Sequence, residues 1–279
     1  MDVTEQRARA EQFRKLHHEA PMLVLPNVWD AASARIIEQA GFPAVATTSS
    51  GVAAALGYPD GQHMSRDLMI EAIARIARVV NCPVTADIEA GYGESIAEKV
   101  ETISAVIATG AVGVNIEDSL IHTPDALAEV DDQVKLIVAL RELADSLGVP
   151  FVINARVDVF LRATGEPADR FAQAVQRANA YLRAGADCVY PIGRLDRETI
   201  AQLVAAIAGP INIMGGPPQP TLPELAQLGV ARVSLAGGLM RAVLGRLRAI
   251  ARELQAQGSY ETLSADTLSG ADLGALFAE

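Results

Sequence analysis

The sequence has few cysteines, fewer basic than acidic residues, and no long apolar run. Only two of its 279 residues are cysteines, Cys82 and Cys188, and their spacing matches no metal-binding motif. A disulfide framework is therefore excluded, and this usage is typical of a reducing compartment. The 23 Lys and Arg against 34 Asp and Glu give a net charge of -11, which argues against a nucleic-acid surface. Small anionic substrates stay compatible, because a local site can be cationic in an acidic protein.

Export and membrane signals are missing as well. The first twenty residues are polar and mixed in charge, without the apolar core of a signal peptide, and no later run reaches membrane-spanning length. We therefore expect a cytoplasmic protein with no membrane partner. Its composition, 50% apolar and 20% charged, is sufficient for one large core.

Short β-rich runs alternate with longer amphipathic stretches along the chain. Eight runs are predicted strands: 23–28, 44–48, 84–88, 112–117, 151–155, 187–192, 211–214 and 232–235. Stretches with apolar residues at three- and four-residue spacing are predicted helices: 66–80, 96–109, 132–147, 168–184 and 239–255. This alternation predicts an α/β fold, a (β/α)8 barrel. We expect a single domain over residues 1–279, with a short N-terminal helix and a C-terminal helical tail.

The most informative segment places two carboxylates at the end of a predicted strand. Asp87 and Glu89 follow the run 82–86, and Gly91 and Gly93, which allow the backbone to turn, come just after them. Residues i and i+2 of a strand share one face, so both acids would suit a hard divalent cation. The next strand ends in Glu117, which converges on the same point if the two strands are neighbours. The pattern predicts a metal site.

Catalytic groups in such barrels lie where strands end and the following loops begin. Arg156 and Asp158 occupy this position after the fifth predicted strand. Two interpretations are open. Arg156 could bind an anionic substrate, or it could pair with Asp158 or Glu117 in a buried ion network.

Several motifs, in the correct order, resemble the isocitrate lyase and phosphoenolpyruvate mutase superfamily of metal-dependent barrels. The resemblance covers the chain from Leu25 to Gly258. It rests on four segments: Thr48-Ser-Ser-Gly-Val-Ala-Ala54 with Gly57-Tyr-Pro-Asp60, Asp87-Ile-Glu-Ala-Gly-Tyr-Gly93, Ile116-Glu-Asp118, and Ala155-Arg156.

The resemblance implies roles for these residues. Asp87, Glu89 and Glu117 would hold Mg2+ or Mn2+, partly through water. Asp60 would lie near the metal and the reacting oxygens, and Arg156 would meet a carboxylate or phosphonyl oxygen, where a guanidinium offers paired donors. Further substrate-binding groups are implied at Thr48, Ser49, Ser50 and Gly51, to which we add Asn212.

The chain departs from the superfamily in the loop after the fourth strand. Lyases of the superfamily carry a Lys-Lys/Arg-Cys-Gly-His loop there, whereas residues 119–124 read SLIHTP. Isocitrate cleavage is therefore not expected, and the Lys-Thr-Asn loop of the mutase and phosphonopyruvate hydrolase branch is missing too. His122 is a candidate replacement acid or base, because imidazole titrates near neutral pH. His17, His18 and His63 have no partner at ligand spacing and are expected at the surface.

These features predict a Mg2+-dependent enzyme that acts through an enolate on a small anionic 2-oxo acid, or on its 2-hydroxy or phosphonate relative, as a carbon–carbon lyase or decarboxylase. Three alternatives stay open: P–C bond chemistry, a barrel that binds 2-oxo acids without turnover, and a phosphate-binding barrel with glycine pairs at 215–216 and 237–238. Tyr190 and Ile192 on the sixth strand predict a smaller or more apolar distal substrate pocket.

The C-terminal tail predicts an assembly. It carries five large apolar residues, too many to leave in water: Leu263, Leu268, Leu273, Leu276 and Phe277. The resemblance implies that neighbouring barrels exchange the eighth helix, so we expect a swapped homodimer, in turn paired into a tetramer.

Overall fold

The computed structural model describes residues 2–19, 21–123 and 125–278. Its strands are β1 (Leu23–Leu25), β2 (Asn27–Val28), β3 (Val45–Thr47), β4 (Val84–Asp87), β5 (Gly113–Glu117), β6 (Val152–Val157), β7 (Cys188–Pro191), β8 (Asn212–Met214) and β9 (Arg232–Ser234). Each lies within two residues of a predicted strand. The first predicted strand is split into β1 and β2 at Pro26, which has no N–H to donate to a neighbouring strand.

All strand pairs are parallel, and they close into a barrel. β2 to β7 pair in chain order, while β9 pairs with both β1 and β8. A parallel bridge between Val189 and Ile211 joins the two sheets beside β7 and β8. Since β1 and β2 are two parts of one strand position, this is the eight-stranded (β/α)8 barrel predicted from the sequence, and that prediction is confirmed.

The helices lie outside the strands, and several begin at a residue whose side chain accepts from the first turn, such as Asp30, Ser65 and Asp196. They are α1 (Val3–Lys15), α2 (Ala31–Gln39), α3 (Ser49–Ala55), α4 (Arg66–Val79), α5 (Ile96–Ala108), α6 (Val130–Ser146), α7 (Arg170–Arg183), α8 (Arg197–Ala206), α9 (Leu222–Gln227), α10 (Gly238–Gln257), α11 (Glu261–Ser264) and α12 (Gly270–Ala275). Ser95 and Glu98 form a reciprocal capping box at the start of α5, which fixes where that helix begins. Among the described residues, no helix combines the length and the apolar character needed to cross a membrane.

Helix α1 covers the end of the barrel where the strands start. Gln6 donates through Nε2 to the carbonyl oxygens of Ile107 and Ala111, at 2.7 and 3.0 Å, just before β5. Phe13 is fully buried, and the His17 ring packs edge-on against it at 4.8 Å between centroids. The expectation that His17 lies at the surface is wrong, because its side chain is only 3% exposed.

Helix α10 is the least buried of the long helices. Met240 is its one buried residue, whereas Val243, Leu244 and Leu247 are 46–59% exposed. Leu263, Leu268, Leu273 and Phe277 in the tail are exposed as well. Together these side chains leave an apolar surface at the C-terminal end of the chain.

Candidate active site

Asp87 is the last residue of β4, and the chain holds its carboxylate with two donors. Its Oδ2 accepts from the Ser49 backbone N–H at 2.9 Å, and its Oδ1 accepts from Asn115 Nδ2 at 2.9 Å. The Asp87 backbone N–H donates to Thr47 Oγ1 at 2.8 Å. Residues from three neighbouring strands therefore fix the position of this carboxylate. It lies at the carboxyl ends of the strands, the end of the barrel that we call the mouth.

Glu89 reaches the same mouth by a different local route from the one predicted. β4 ends at Asp87, so alternation along a strand does not place Glu89; its backbone is left-handed, with φ of 55°. Such a conformation is uncommon outside glycine and often occurs at functional sites. Its Oε2 accepts from the Gln62 backbone N–H at 2.8 Å, and its Oε1 accepts from the Tyr92 hydroxyl at 3.1 Å.

Glu117 and Arg156 face each other across β5 and β6. They are register partners on these adjacent strands, and β4 pairs with β5 on the other side, as convergence of Asp87 and Glu117 required. Arg156 Nη1 lies 2.6 Å from Glu117 Oε2, and its Nε and Nη2 donate to the two Asp158 oxygens at 2.6 and 2.7 Å. The ion network considered as one interpretation therefore exists. Substrate binding by Arg156 stays a prediction.

Asp118 belongs to the scaffold. It points away from the mouth, where its Oδ2 accepts from the Tyr181 hydroxyl at 2.7 Å and from Arg177 Nη1 at 3.1 Å. Its Oδ1 accepts from the Asp158 backbone N–H at 2.9 Å. Consecutive residues on a strand face opposite sides, so only one of the Glu117–Asp118 pair can reach the mouth.

The acids at the mouth repel one another in a poorly hydrated setting. Burial, followed by the charges of Asp60 and Asp87, raises the pKa of Glu89 to about 7. Asp60 is exposed on its loop, yet desolvation on the side facing the barrel and the Asp87 charge raise its pKa as well. Burial raises the pKa of Glu117, against the opposing attraction of Arg156. A cation at this position would relieve the repulsion.

A cavity of about 420 Å³ opens at the mouth beside these groups. Its polar lining is Ser49, Asp60, His63, Glu89, Glu117, Arg156 and Arg162. Arg162 was not predicted from the sequence; its Nη2 lies 3.9 Å from Glu117 Oε1. The one feature of the sequence that could have indicated Arg162 is its position, four residues after Asp158 in the loop that follows a predicted strand. His63 is exposed, as expected, and it also borders the cavity.

The donor set fits a hard divalent cation held largely through water. Within the described ranges, no three His, Cys, Asp or Glu side chains are placed as a closed direct-ligand shell. Mg2+ commonly keeps several of its waters and uses one or two carboxylates. Asp87, Glu89 and Glu117 supply the predicted carboxylates, and the oxygens of all three already contact protein groups. Their roles as metal ligands therefore stay predictions.

The segment expected to hold the substrate carboxylate forms the start of α3. Thr48 precedes the helix, and its Oγ1 lies 3.1 Å from Ser50 Oγ. A Cβ on Gly51 would lie 2.5 Å from Thr48 Cγ2 and 3.0 Å from Trp29 Cβ, so only glycine fits there. Close packing thus brings this turn next to Asp87.

His122 and Asn212 lie apart from the group of acids and arginines at the mouth. The His122 side chain is 74% exposed, with Nε2 4.0 Å from Glu94 Oε1 in the loop after β5. Asn212 is fully buried on β8, and its Nδ2 donates to Ser234 Oγ at 3.0 Å. The acid–base role of His122 and the substrate contact of Asn212 stay predictions.

The fold and the acidic mouth define a class, the (β/α)8 barrels whose chemistry lies at the carboxyl ends of the strands. The family model described as phosphoenolpyruvate phosphomutase matches residues 13–255. The chain therefore belongs to the phosphoenolpyruvate phosphomutase family, and the resemblance seen in its motifs is confirmed. The superfamily comprises lyases and mutases that act on 2-oxo acids.

Similar proteins extend over most of the chain. A protein of uncharacterised function from Mycobacterium tuberculosis (strain H37Rv) is 36% identical over 226 residues, 80% of each chain. The oxaloacetate decarboxylase of Rhodopseudomonas palustris (strain BisB5) is 33% identical over 75% of this chain and 71% of the relative. A crystal structure from Burkholderia cenocepacia J2315, provisionally named a lyase/mutase, has a TM-score of 0.91 at 36% identity and covers 99% of this chain and 98% of that one.

Proposed function

We propose that the protein is a Mg2+-dependent carbon–carbon lyase or decarboxylase that acts on a small 2-oxo acid. The observation that carries this proposal is the group of carboxylates Asp60, Asp87 and Glu89 beside the cationic side chains Arg156 and Arg162. Such a mouth suits a cation and an anionic substrate at once. The similarity to an oxaloacetate decarboxylase supports a substrate of the oxaloacetate type.

The chain's own residues would bind and orient the substrate. Asp87 and Glu89 would hold the cation, with Glu117 completing the set. The cation, when bound, supplies stabilisation of the negative charge that develops on the carbonyl oxygen of a 2-oxo acid. The turn at Ser49 to Gly51 lies against Asp87, where it can meet the substrate carboxylate.

Asp60 is placed to exchange a proton with the substrate. It borders the same cavity, and its raised pKa means that its carboxyl oxygen retains a proton at higher pH than an ordinary aspartate. General acids and bases work best when their pKa approaches the working pH. Asp60 therefore takes the place of the cysteine that the lyase loop would provide, and His122 is the second candidate for this step.

Turnover assays test the proposal. The protein is incubated with Mg2+ and, separately, oxaloacetate, 2-methylisocitrate, dimethylmalate or phosphonopyruvate, and pyruvate release is measured above the rate with Mg2+ alone. Asp87→Asn should abolish turnover, whereas Asp145→Asn, a matched change at an exposed position on α6, should leave it unchanged. Phosphonopyruvate as the sole substrate would favour P–C chemistry, and equal rates in both variants would contradict the assigned site.

Binding of Mg2+ and oxalate tests the metal site without requiring that the protein turns over a substrate. Oxalate mimics the enolate of pyruvate, so Mg2+ and oxalate together should raise Tm by more than the sum of their separate effects, because ligands of the folded state stabilise it by mass action. Asp87→Asn should remove the synergy. A protein with this synergy and no turnover would be a binding barrel, and an oxalate effect that is the same in EDTA would exclude the metal role.

We also propose that two chains exchange α10 in a homodimer, which can pair into a tetramer. The support is the apolar surface of Val243, Leu244 and Leu247, together with the exposed tail residues Leu268 and Phe277. Large exposed apolar patches mark interaction surfaces, and exchange of identical elements is a low-cost route to closed symmetry.

A further inference from the structure

A second buried arginine lies deeper in the barrel than Arg156. Arg232 starts β9, and it is 2% exposed. Its Nε donates to Ser234 Oγ at 3.3 Å, and its Nη1 lies 3.5 Å from His17 Nε2. His17 Nδ1 lies 2.9 Å from the Phe13 carbonyl oxygen, which can only accept, so His17 presents an unprotonated Nε2 to the arginine.

Arg232 has no salt-bridge partner among the described residues, although the Asp87 carboxylate lines the same cavity. Across the described residues, its polar contacts are neutral and it forms no salt bridge with a carboxylate. Arg156 differs, because Glu117 and Asp158 engage it on three nitrogens. A buried guanidinium without a paired charge is costly, and proteins normally pair such groups or use them.

Arg232 borders a small cavity inside the barrel. The cavity has a volume of about 30 Å³, and Thr85, Asp87, Arg156 and Tyr190 also line it. About 10–15 Å³ accommodates one water, so this space holds roughly two waters or one carboxylate group. Arg156 lines both this cavity and the mouth cavity, so the two adjoin at its side chain.

Two hydroxyl groups in this cavity have no partner. Tyr190 is 4% exposed and Thr85 is 1% exposed, and neither Tyr190 Oη nor Thr85 Oγ1 has a hydrogen-bond partner among the described residues. Both side chains line the cavity that Arg232 borders. Buried hydroxyls of this kind normally find a partner, and a polar group bound in the cavity would supply one.

We propose that Arg232, Tyr190 and Thr85 form a subsite for one small monovalent anionic group, a carboxylate or a halide, on the floor of the barrel. The guanidinium supplies the charge, and the two hydroxyls donate hydrogen bonds to the bound group. In this proposal the floor of the distal pocket carries a cationic group, while the expectation of a smaller or more apolar pocket, drawn from Tyr190 and Ile192, stays a prediction.

The anion can come from two sources. If it is the carboxylate of a substrate that lies farther from the cation, the inference rests on the proposed function, and Arg232 selects dicarboxylic 2-oxo acids. If it is a free anion, the subsite stands without that function. The same side chains serve both cases.

Anion titrations in EDTA test the subsite independently of metal and turnover. Sodium formate or sodium bromide replaces sodium gluconate at constant ionic strength, and Tm is followed; gluconate is too large for the cavity. We expect a saturable rise of Tm in the wild type that is lost in Arg232→Gln. The control Arg183→Gln, at an exposed position on α7, should respond like the wild type.

If Arg232→Gln does not fold, the variant Tyr190→Phe still tests the subsite. It removes one hydroxyl and should weaken formate about tenfold, the usual effect of a hydrogen bond to a charged group. Bromide soaked into crystals should also give an anomalous peak beside Arg232. Absence of saturable stabilisation in the wild type, or equal responses of Arg232→Gln and Arg183→Gln, would overturn the proposal.

Competition identifies the source of the anion. Formate that is displaced by malonate with Mg2+ marks a subsite for the substrate carboxylate, and Arg232→Gln should then raise KM for a dicarboxylic substrate more than it lowers kcat. Formate that binds independently of malonate marks a free-anion site. Both results retain the subsite, and neither requires that the proposed reaction takes place.

Discussion

Replacing Glu89 by glutamine should stabilise the metal-free protein while weakening its affinity for Mg2+. The hydrogen bonds survive this change, since the amide oxygen can accept from the Gln62 N–H and the amide nitrogen can donate to the Tyr92 hydroxyl. Only the negative charge is removed, and burial, followed by the charges of Asp60 and Asp87, is what makes that charge unfavourable. Active sites often carry such a cost in stability.

The pKa of Glu89 sets the size of the effect. It rises from 4.5 to about 7 on folding, and each unit corresponds to about 1.4 kcal/mol, so ionised Glu89 destabilises the fold by at most about 3 kcal/mol above pH 7. Between pH 4.5 and 7 the folded state binds more protons than the unfolded state. The free energy of unfolding therefore falls as the pH rises through this window, and below pH 4.5 the penalty is absent.

Urea denaturation in EDTA at pH 4.5 and pH 8 measures this difference. Glu89→Gln should raise the free energy of unfolding by about 1–3 kcal/mol at pH 8 and by much less at pH 4.5. Glu101→Gln, an exposed change on α5, should have no pH-dependent effect. If Glu89→Gln changes the free energy of unfolding equally at both pH values, the argument that ionised Glu89 destabilises the fold is refuted, and unchanged Mg2+ affinity would refute the ligand role.

Three further predictions concern other parts of the molecule. Arg156→Lys keeps the charge but loses the fork that holds Asp158, so kcat/KM should fall about tenfold or more, and an unchanged value would leave Arg156 a purely structural residue. Burial and Arg232 lower the pKa of His17 from 6.5 to about 3, so the unfolded state binds the extra proton between these values and stability falls as the pH drops from 6.5 to 3. His17→Gln should reduce this slope, by at most about 1.4 kcal/mol per pH unit in urea titrations, and an identical slope would exclude the effect. Light scattering at micromolar concentration should show a dimer or tetramer, and removal of residues 239–279 should give an insoluble or inactive protein; a monomeric full-length chain would exclude helix exchange.

Periodicity was sufficient to predict the barrel. Each predicted strand is a short apolar run bounded by turn residues, and each of the five predicted helices repeats its apolar residues every three or four positions, so local sequence specifies the elements. The split at Pro26 follows from the missing N–H of proline. The parallel order of the strands follows from their alternation with helices, which only a few topologies accommodate.

The mouth of the barrel was only partly predictable. The motif from Asp87 to Gly93 pointed to the acids, and the register of β4 and β5 then brings Glu117 beside them, as the strand pattern suggested. The left-handed backbone at Glu89 could not be predicted from the alternation of residues along a strand, because it depends on how the following loop packs. Arg162 has no motif, and only the path of its loop brings it to the cavity.

Sequence alone determined the fold class, the family and the identity of the acidic cluster, because these depend on local periodicity and on short motifs that stay together in the chain. Tertiary structure alone decided which charges are paired. Arg156 is held by Glu117 and Asp158, whereas Arg232, 76 positions later in the chain, has neutral contacts with His17 and Ser234. The free energy of a buried charge depends on neighbours within a few ångströms, and residues as distant in sequence as positions 17 and 232 become neighbours only when the barrel closes.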